Sequence, residues 1–161
     1  MGDRQNPKSK PHRPPRLSML APGVRPFYFV TFNTCRRATT LAQKDIHETF
    51  CRFCGQARTF GVTVGRYVIM PDHVHLFVVL PPGGLTLPRW VQSLKSCLGK
   101  TLLSRGVDQP HWQEGFFDHV LRSDESYAQK GEYVRQNPVR AGWVQSPEEW
   151  PYQGEVDVIR F

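Results

Sequence analysis

The sequence predicts an α+β fold, in which an antiparallel sheet is covered by helices. First, short aromatic and β-branched segments alternate with longer segments whose apolar residues recur at helical spacing. Second, Pro and Gly residues separate these segments. Third, a hydrophobic content of 39% over 161 residues suffices for one compact core.

The first half of the chain supplies three strands and one helix. Residues 27–34 (FYFVTFNT) are aromatic and β-branched, which predicts a strand. Residues 44–60 carry apolar side chains at helical spacing and end before a glycine, which predicts a helix. Residues 62–70 and 73–80 predict two strands joined by a Pro-Asp turn.

The second half supplies two helices and one strand. Residues 88–105 place Trp and Leu on one helical stripe, and residues 116–121 (FFDHVL) predict a short strand. Residues 124–137 predict a last helix, which carries Tyr133 and ends or kinks at an Asn-Pro pair. The first six elements match the ferredoxin-like split βαβ plan, an antiparallel sheet with helices on one face.

The chain divides into three predicted parts. Residues 1–24 are rich in Pro, Lys and Arg and are interpreted as a basic arm. Residues 25–152 form the predicted domain, and residues 153–161 a C-terminal tail. Because no apolar run could cross a membrane and no secretory signal is recognisable, we expect a cytoplasmic protein without membrane contact.

Charge and cysteine content narrow the function classes. With 21 Lys+Arg against 14 Asp+Glu, the net charge of +7 favours a polyanionic partner such as nucleic acid, although a basic surface can also serve solubility alone. Cys51 and Cys54 lack a second Cys or His pair at zinc-finger spacing. We interpret them as small thiols on one helix face.

His73 and His75, called the histidine pair below, are the first candidate site. Residues i and i+2 of a strand point to the same face, so the two imidazoles should stand side by side. Such a pair offers two nitrogen ligands to a divalent metal ion. The alternative is two half-buried histidines that hydrogen bond to backbone or water.

Tyr133 is the second candidate, because it lies off the helix stripe that would pack on the sheet. That stripe comprises Tyr127, Gly131 and Val134, while Lys130 and Asn137 share the face of Tyr133. A phenol can attack a phosphodiester when a metal ion polarises the phosphate. The alternative is a tyrosine at the edge of the core.

These segments together resemble a known family. The His73-Val74-His75 strand, residues 112–119 and the segment YVRQNPVRAGWV that begins at Tyr133 resemble the REP-associated tyrosine transposases, which are single-tyrosine HUH transposases of the IS200 type. The resemblance covers roughly residues 24–152 and implies that residues 25–152 are a catalytic domain. It further implies that Tyr133 attacks single-stranded DNA and leaves a 5′-phosphotyrosine, on REP-like hairpin substrates.

The resemblance also implies a metal site: His73 and His75 would bind Mg²⁺ or Mn²⁺, with the side-chain oxygen of Asn137 as third ligand. Basic residues near the tyrosine or on an exposed helix face are candidate DNA contacts: Arg89, Lys100, Lys130, Arg135 and Arg140. The protein would act as a monomer or a homodimer.

Two other functions stay open at this point. A non-catalytic DNA-binding regulator could use the same scaffold and the same charge. A nucleotide hydrolase of the histidine-triad type would need a third histidine on the strand, where this sequence has Phe77. A covalent protein–DNA adduct would distinguish the transposase from the regulator.

Overall fold

The computed structural model describes residues 25–160, so the predicted basic arm at residues 1–24 lies outside the described residues. In chain order the elements are β1 (Phe27–Asn33), α1 (Lys44–Gln56), β2 (Thr63–Ile69), β3 (His73–Val79), α2 (Leu87–Ser104), β4 (Phe117–Val120), α3 (Asp124–Arg135), α4 (Asn137–Arg140) and β5 (Gln153–Glu155). None of the helices within this range has the length and apolar character that crossing a bilayer requires.

The strands form one antiparallel sheet in the order β4-β1-β3-β2-β5. β1 pairs with β3 along its whole length, from Phe27 opposite Val79 to Asn33 opposite His73. The first four strands have the order of a ferredoxin-like sheet, so the predicted α+β fold is confirmed.

The sheet separates two apolar clusters. On one face, α1 and α2 pack over alternate residues of β3, among them Val74 and Leu76. On the opposite face, α3 packs over Phe29 of β1 and Phe77 of β3. Each fully buried side chain of this kind contributes about 1.5–3 kcal/mol. Since strand residues alternate between faces, the histidine pair lies on the α3 face together with Phe77.

The last predicted helix is divided into two in the structure. α3 ends at Arg135, and α4 begins at Asn137 with Pro138 in its first turn. Proline has no backbone N–H to continue the hydrogen bonding of α3, and it is tolerated in the first turn of a helix, which is its position in α4. The break that the Asn-Pro pair predicts is therefore present, and it lies between Arg135 and Asn137.

β5 is an element that the sequence did not predict. Residues 153–155, which we assigned to the start of a C-terminal tail, instead pair with Arg66–Val68 at the edge of the sheet. A Cβ atom at Gly154 would lie 2.9 Å from the hydroxyl of Tyr67, so this close approach requires glycine. A strand of three residues with one glycine has no alternating apolar pattern by which it could be found.

Candidate active site

The histidine pair occupies the start of β3. The two ring centroids are 4.7 Å apart and the ring planes cross at 79°. Asn33 lies opposite His73 and Thr31 lies opposite His75 on the neighbouring strand. The structure therefore brings the two imidazoles together, as strand alternation predicts.

Both imidazoles are oriented through the same ring nitrogen. Nδ1 of His73 donates a hydrogen bond to the Asp72 carboxylate over 2.7 Å. Nδ1 of His75 lies 2.6 Å from the Thr31 hydroxyl. Among the described residues, Nε2 of each ring is the nitrogen that these contacts leave for an external ligand. A partner on the second nitrogen is the usual arrangement of a metal-binding histidine.

Arg37 extends the support of His73. Its Nε atom lies 2.8 Å from the second carboxylate oxygen of Asp72, so a charged pair stands behind the imidazole. The backbone of Arg37 is in the left-handed region, with φ of 58°, which is rare for a residue with a β-carbon. The turn after β1 thus adopts a costly conformation at the position from which the guanidinium reaches Asp72.

The surroundings keep the histidine pair neutral. Burial, together with the positive charges of Arg140, Lys130 and Arg37 and the neighbouring ring of His73, lowers the pKa of His75 to about 3. Burial also lowers the pKa of His73, against the opposing effect of Asp72. Neutral imidazole is the form that binds a metal ion.

α3 approaches the histidine pair with its Lys130 side. The Lys130 ammonium lies 4.8 Å from the ring centroid of Phe29, and Phe29 in turn stacks on His75 at 5.4 Å. On the next position, Gly131 faces Arg66 of β2, where a Cβ atom would lie 2.8 Å from the guanidinium. The packing stripe of α3 is buried as predicted, and Tyr133 beside it is 64% exposed.

Arg140 connects Tyr133 to Asn137. Its guanidinium lies 3.9 Å from the ring centroid of Tyr133, and it donates one hydrogen bond to the Tyr133 carbonyl over 2.7 Å. It also donates to the side-chain oxygen of Asn137. Because Arg140 acts electrostatically on His75 as well, this one cation is common to the tyrosine, the amide and the histidine pair.

The residues present fit a divalent ion with few protein ligands. Between residues 25 and 160 there is no cluster of three His, Cys, Asp or Glu side chains that could hold a metal ion, and Cys51 and Cys54 are free thiols on α1. Two oriented, neutral imidazoles remain, and the amide oxygen of Asn137 is engaged by Arg140. Such a site would be completed by oxygen ligands, which Mg²⁺ and Mn²⁺ accept.

The predicted DNA-contacting residues fall into three groups. Lys130 and Arg140 are the two whose charge acts on His75. Arg135 forms ion pairs with Glu132 and Glu148, which compensate its charge locally. The remaining two, Arg89 and Lys100, are exposed on α2, in the helical layer on the other face of the sheet. The structure does not bring them to the histidine pair, and their role as DNA contacts stays a prediction.

Three supporting residues were missed in the sequence. Thr31, Asp72 and Arg37 orient the two imidazoles, yet Thr31 is 44 residues from His75 along the chain. The register of β1 on β3, which aligns Thr31 with His75, follows from the folded sheet. Asp72 was visible as a turn residue and as part of the segment from Pro71 to His75 that matches the family, but without a role, and no feature of the sequence distinguished Arg37.

A helix with an exposed tyrosine, packed over the same sheet face as an oriented histidine pair, is the architecture of a single-tyrosine HUH enzyme. Residues 27–137 match the family described as Transposase IS200 like, so the chain belongs to this family of tyrosine transposases.

Individual relatives agree with this assignment. The REP-associated tyrosine transposase of Escherichia coli strain K12 is 26% identical over 125 residues, which cover 78% of this chain and 73% of that protein. A protein of Haemophilus influenzae assigned to the same group is 29% identical over 135 residues, covering 78% of this chain and 77% of that protein. The resemblance inferred from the sequence is therefore confirmed.

A solved structure shares the fold. It is a REP-associated tyrosine transposase bound to a REP hairpin, and it superimposes with a TM-score of 0.66 at 24% sequence identity. The match covers 80% of this chain and 75% of that chain.

Proposed function

We propose that this chain is a metal-dependent DNA nicking and rejoining enzyme that acts on REP-like hairpins with a single-stranded flank. The Tyr133 hydroxyl oxygen attacks the phosphorus of a DNA phosphodiester. The new bond joins this oxygen to phosphorus, and the bond from phosphorus to the 3′ oxygen breaks. The Tyr133 hydroxyl loses its proton and the 3′ oxygen takes one up, so the products are a 5′-phosphotyrosine and a free 3′-hydroxyl.

The observation that carries the proposal is the shared environment of the candidate groups. Tyr133 is exposed on the helix that packs over the face of the histidine pair. Arg140 contacts the Tyr133 ring and contributes to the electrostatic potential at His75. An exposed phenol, two neutral imidazoles and a common cation are the parts that phosphodiester attack requires.

His73 and His75 are the proposed ligands of a Mg²⁺ or Mn²⁺ ion, with Asn137 as a third. When bound, such an ion would polarise a non-bridging oxygen of the phosphate and help to align it for attack. Asp72 and Thr31 hold the two rings by their Nδ1 atoms, which leaves both Nε2 atoms for the ion. To bind the ion, the side-chain oxygen of Asn137 would have to release Arg140 or contact Arg140 and the ion together.

Arg140 has two proposed tasks at Tyr133. A guanidinium 3.9 Å from the ring centroid stabilises the phenolate that forms when the Tyr133 hydroxyl loses its proton. The same cation, together with Lys130, attracts the DNA phosphate to this face of the sheet. The nucleophile and its substrate are therefore drawn to one place by the same charges.

A covalent adduct tests the proposal. Incubation with a hairpin oligonucleotide and Mn²⁺ should give a protein–DNA species that survives denaturation. Tyr133→Phe should abolish the adduct and leave DNA binding unchanged, because the ring and its contact with Arg140 are retained. His73→Ala should abolish the adduct by removing one imidazole. Wild-type protein that binds the hairpin without ever forming an adduct would instead identify a DNA-binding regulator.

The histidine-triad alternative has no support on this strand. Phe77 stands where a third histidine would be required, and its side chain is fully buried beneath α3.

A further inference from the structure

Phe117 is a large apolar side chain exposed beside the candidate active site. It lies on the edge strand β4 and is 55% exposed. Phe117 pairs opposite Thr31 of β1, and Thr31 pairs opposite His75 of β3. The three residues therefore form one row across three adjacent strands.

The members of this row point to the same face of the sheet. Residues directly opposite each other in an antiparallel pair project to the same side. The Thr31 hydroxyl contacts His75, and the ring of Phe117 meets Phe29 edge to face at 6.4 Å. Phe29 stacks on His75, so the aromatic surface continues from β4 to the histidine pair.

α3 covers the inner part of this surface and leaves Phe117 outside. Tyr127 packs against Phe27 and Phe77, at 5.1 and 4.9 Å between ring centroids. Lys130, one turn further, lies over Phe29. The helix thus runs above β1, β3 and β2, while Phe117 lies one strand beyond its edge.

Charge indicates what this exposed ring contacts. The Lys130 ammonium lies over Phe29, and both Lys130 and Arg140 act on His75, which makes the inner side of the row positive. An aromatic face next to a group of cations is complementary to a nucleotide, whose base stacks and whose phosphate carries the negative charge. A protein or lipid partner would need a wider apolar surface than one ring.

We propose that Phe117 stacks on a base of the single-stranded flank next to the phosphate that Tyr133 attacks. This inference rests on the proposed function. Two strand spacings, about 10 Å, separate Phe117 from His75, which a nucleotide attached to that phosphate can span. The stack would help to select a single-stranded flank, because neighbouring bases already cover both faces of a base inside a duplex.

Binding measurements with a matched control test the proposal. The probe is a labelled DNA hairpin with a short single-stranded flank, titrated without metal ion so that no cleavage occurs. Phe117→Ala should weaken binding about ten-fold, the size of one base–aromatic stack, and Phe117→Trp should retain it. Phe60→Ala is the control, because Phe60 is 73% exposed and follows α1 in the opposite layer. It should bind as the wild type does.

An abasic series identifies the stacked base. Each flank position is replaced in turn by an abasic site, and the probe without a flank is measured as well. At one position the abasic site should weaken binding by the wild-type protein but should not weaken binding by Phe117→Ala any further. The proposal would be overturned if Phe117→Ala bound the hairpin as tightly as Phe60→Ala does. It would also be overturned if Phe117→Ala lost as much affinity for the probe without a flank as for the probe with one.

The same samples separate the two proposals. If Mn²⁺ and the hairpin give the Tyr133 adduct, but no flank position shows an abasic effect that depends on Phe117, only the stacking proposal fails. If such a position is found but no adduct ever forms, the nicking function fails, and the stacked base belongs to a DNA-binding site without catalysis.

Discussion

Replacing Thr31 with Val tests whether the histidine pair is built to hold a metal ion. The side chains have nearly the same shape, so Thr31→Val removes the 2.6 Å contact with Nδ1 of His75 and little else. A side-chain hydrogen bond of this kind contributes about 1 kcal/mol to stability. Loss of a partner on the second nitrogen of a metal-binding histidine typically costs 10–100-fold in metal affinity.

The structure favours the lower end of that range. Phe29 still stacks on His75 with an angle of 21° between the planes, so the ring keeps part of its orientation without Thr31. We therefore expect Thr31→Val to weaken Mn²⁺ binding about ten-fold. Calorimetric titration measures the affinity, and nitrogen NMR of the imidazole reports which ring nitrogen carries the proton.

Thr49→Val is the matched control for this measurement. Thr49 on α1 forms a comparable contact of 3.1 Å with Thr101 on α2, on the other face of the sheet. It should lower the free energy of unfolding by a similar amount, about 1 kcal/mol, and leave Mn²⁺ affinity unchanged. If Thr31→Val binds Mn²⁺ as tightly as Thr49→Val does, Thr31 does not orient a metal ligand and the argument from the Nδ1 contacts is wrong.

Three further predictions concern pH, packing and charge. Because the pKa of His75 is lowered to about 3, the unfolded state takes up a proton here below about pH 6.5 while the folded state does not. The free energy of unfolding should fall as the pH drops towards 3, by up to about 1.4 kcal/mol per pH unit. In His75→Gln the free energy of unfolding, measured with urea at each pH, should depend less steeply on pH. Gly65→Ala should destabilise the fold by about 1–3 kcal/mol, measured by thermal unfolding, since its Cβ would lie 2.7 Å from the Tyr127 hydroxyl beneath α3. Lys130→Ala should reduce the salt dependence of hairpin affinity by about 0.7 in the logarithmic slope. Arg89→Ala on α2 tests the other predicted contact: an equal reduction of the slope would place DNA on the α2 layer as well, and an unchanged slope would contradict the prediction that Arg89 contacts DNA.

Periodicity predicted most of the fold because most elements bury one continuous side. α2 keeps Trp90, Leu94 and Leu98 on a single stripe, and β3 alternates between two covered faces. β5 escaped prediction for the opposite reason. It is held by backbone pairing with β2 and by a glycine that fits under Tyr67, and neither leaves a hydrophobic pattern.

In the candidate site, too, the features that follow from sequence spacing could be predicted and those that depend on the folded sheet could not. Strand alternation was sufficient to place the two imidazoles together, and helical spacing was sufficient to place Tyr133 off the packing stripe. The orienting contacts depend on strand register and on a left-handed turn, so they could not be predicted from spacing. Among the five basic residues, the sequence distinguished Arg135 and Arg140 only by their nearness to Tyr133. The structure separates them further, because Arg140 contacts the Tyr133 ring while Arg135 forms ion pairs with Glu132 and Glu148.

The cations near the histidine pair also explain how one surface can prepare both a metal site and a phosphate site. Burial and, after it, the positive potential disfavour protonation of His75, so the ring stays in its metal-binding form. The same potential attracts a polyanion.

Repulsion between these cations and a divalent ion would weaken the metal site while no phosphate is present. A bound phosphate supplies the compensating negative charge, so we expect Mn²⁺ and DNA to bind with positive cooperativity. The affinity for Mn²⁺ should rise in the presence of the hairpin, and an affinity that falls would contradict this account of the charges.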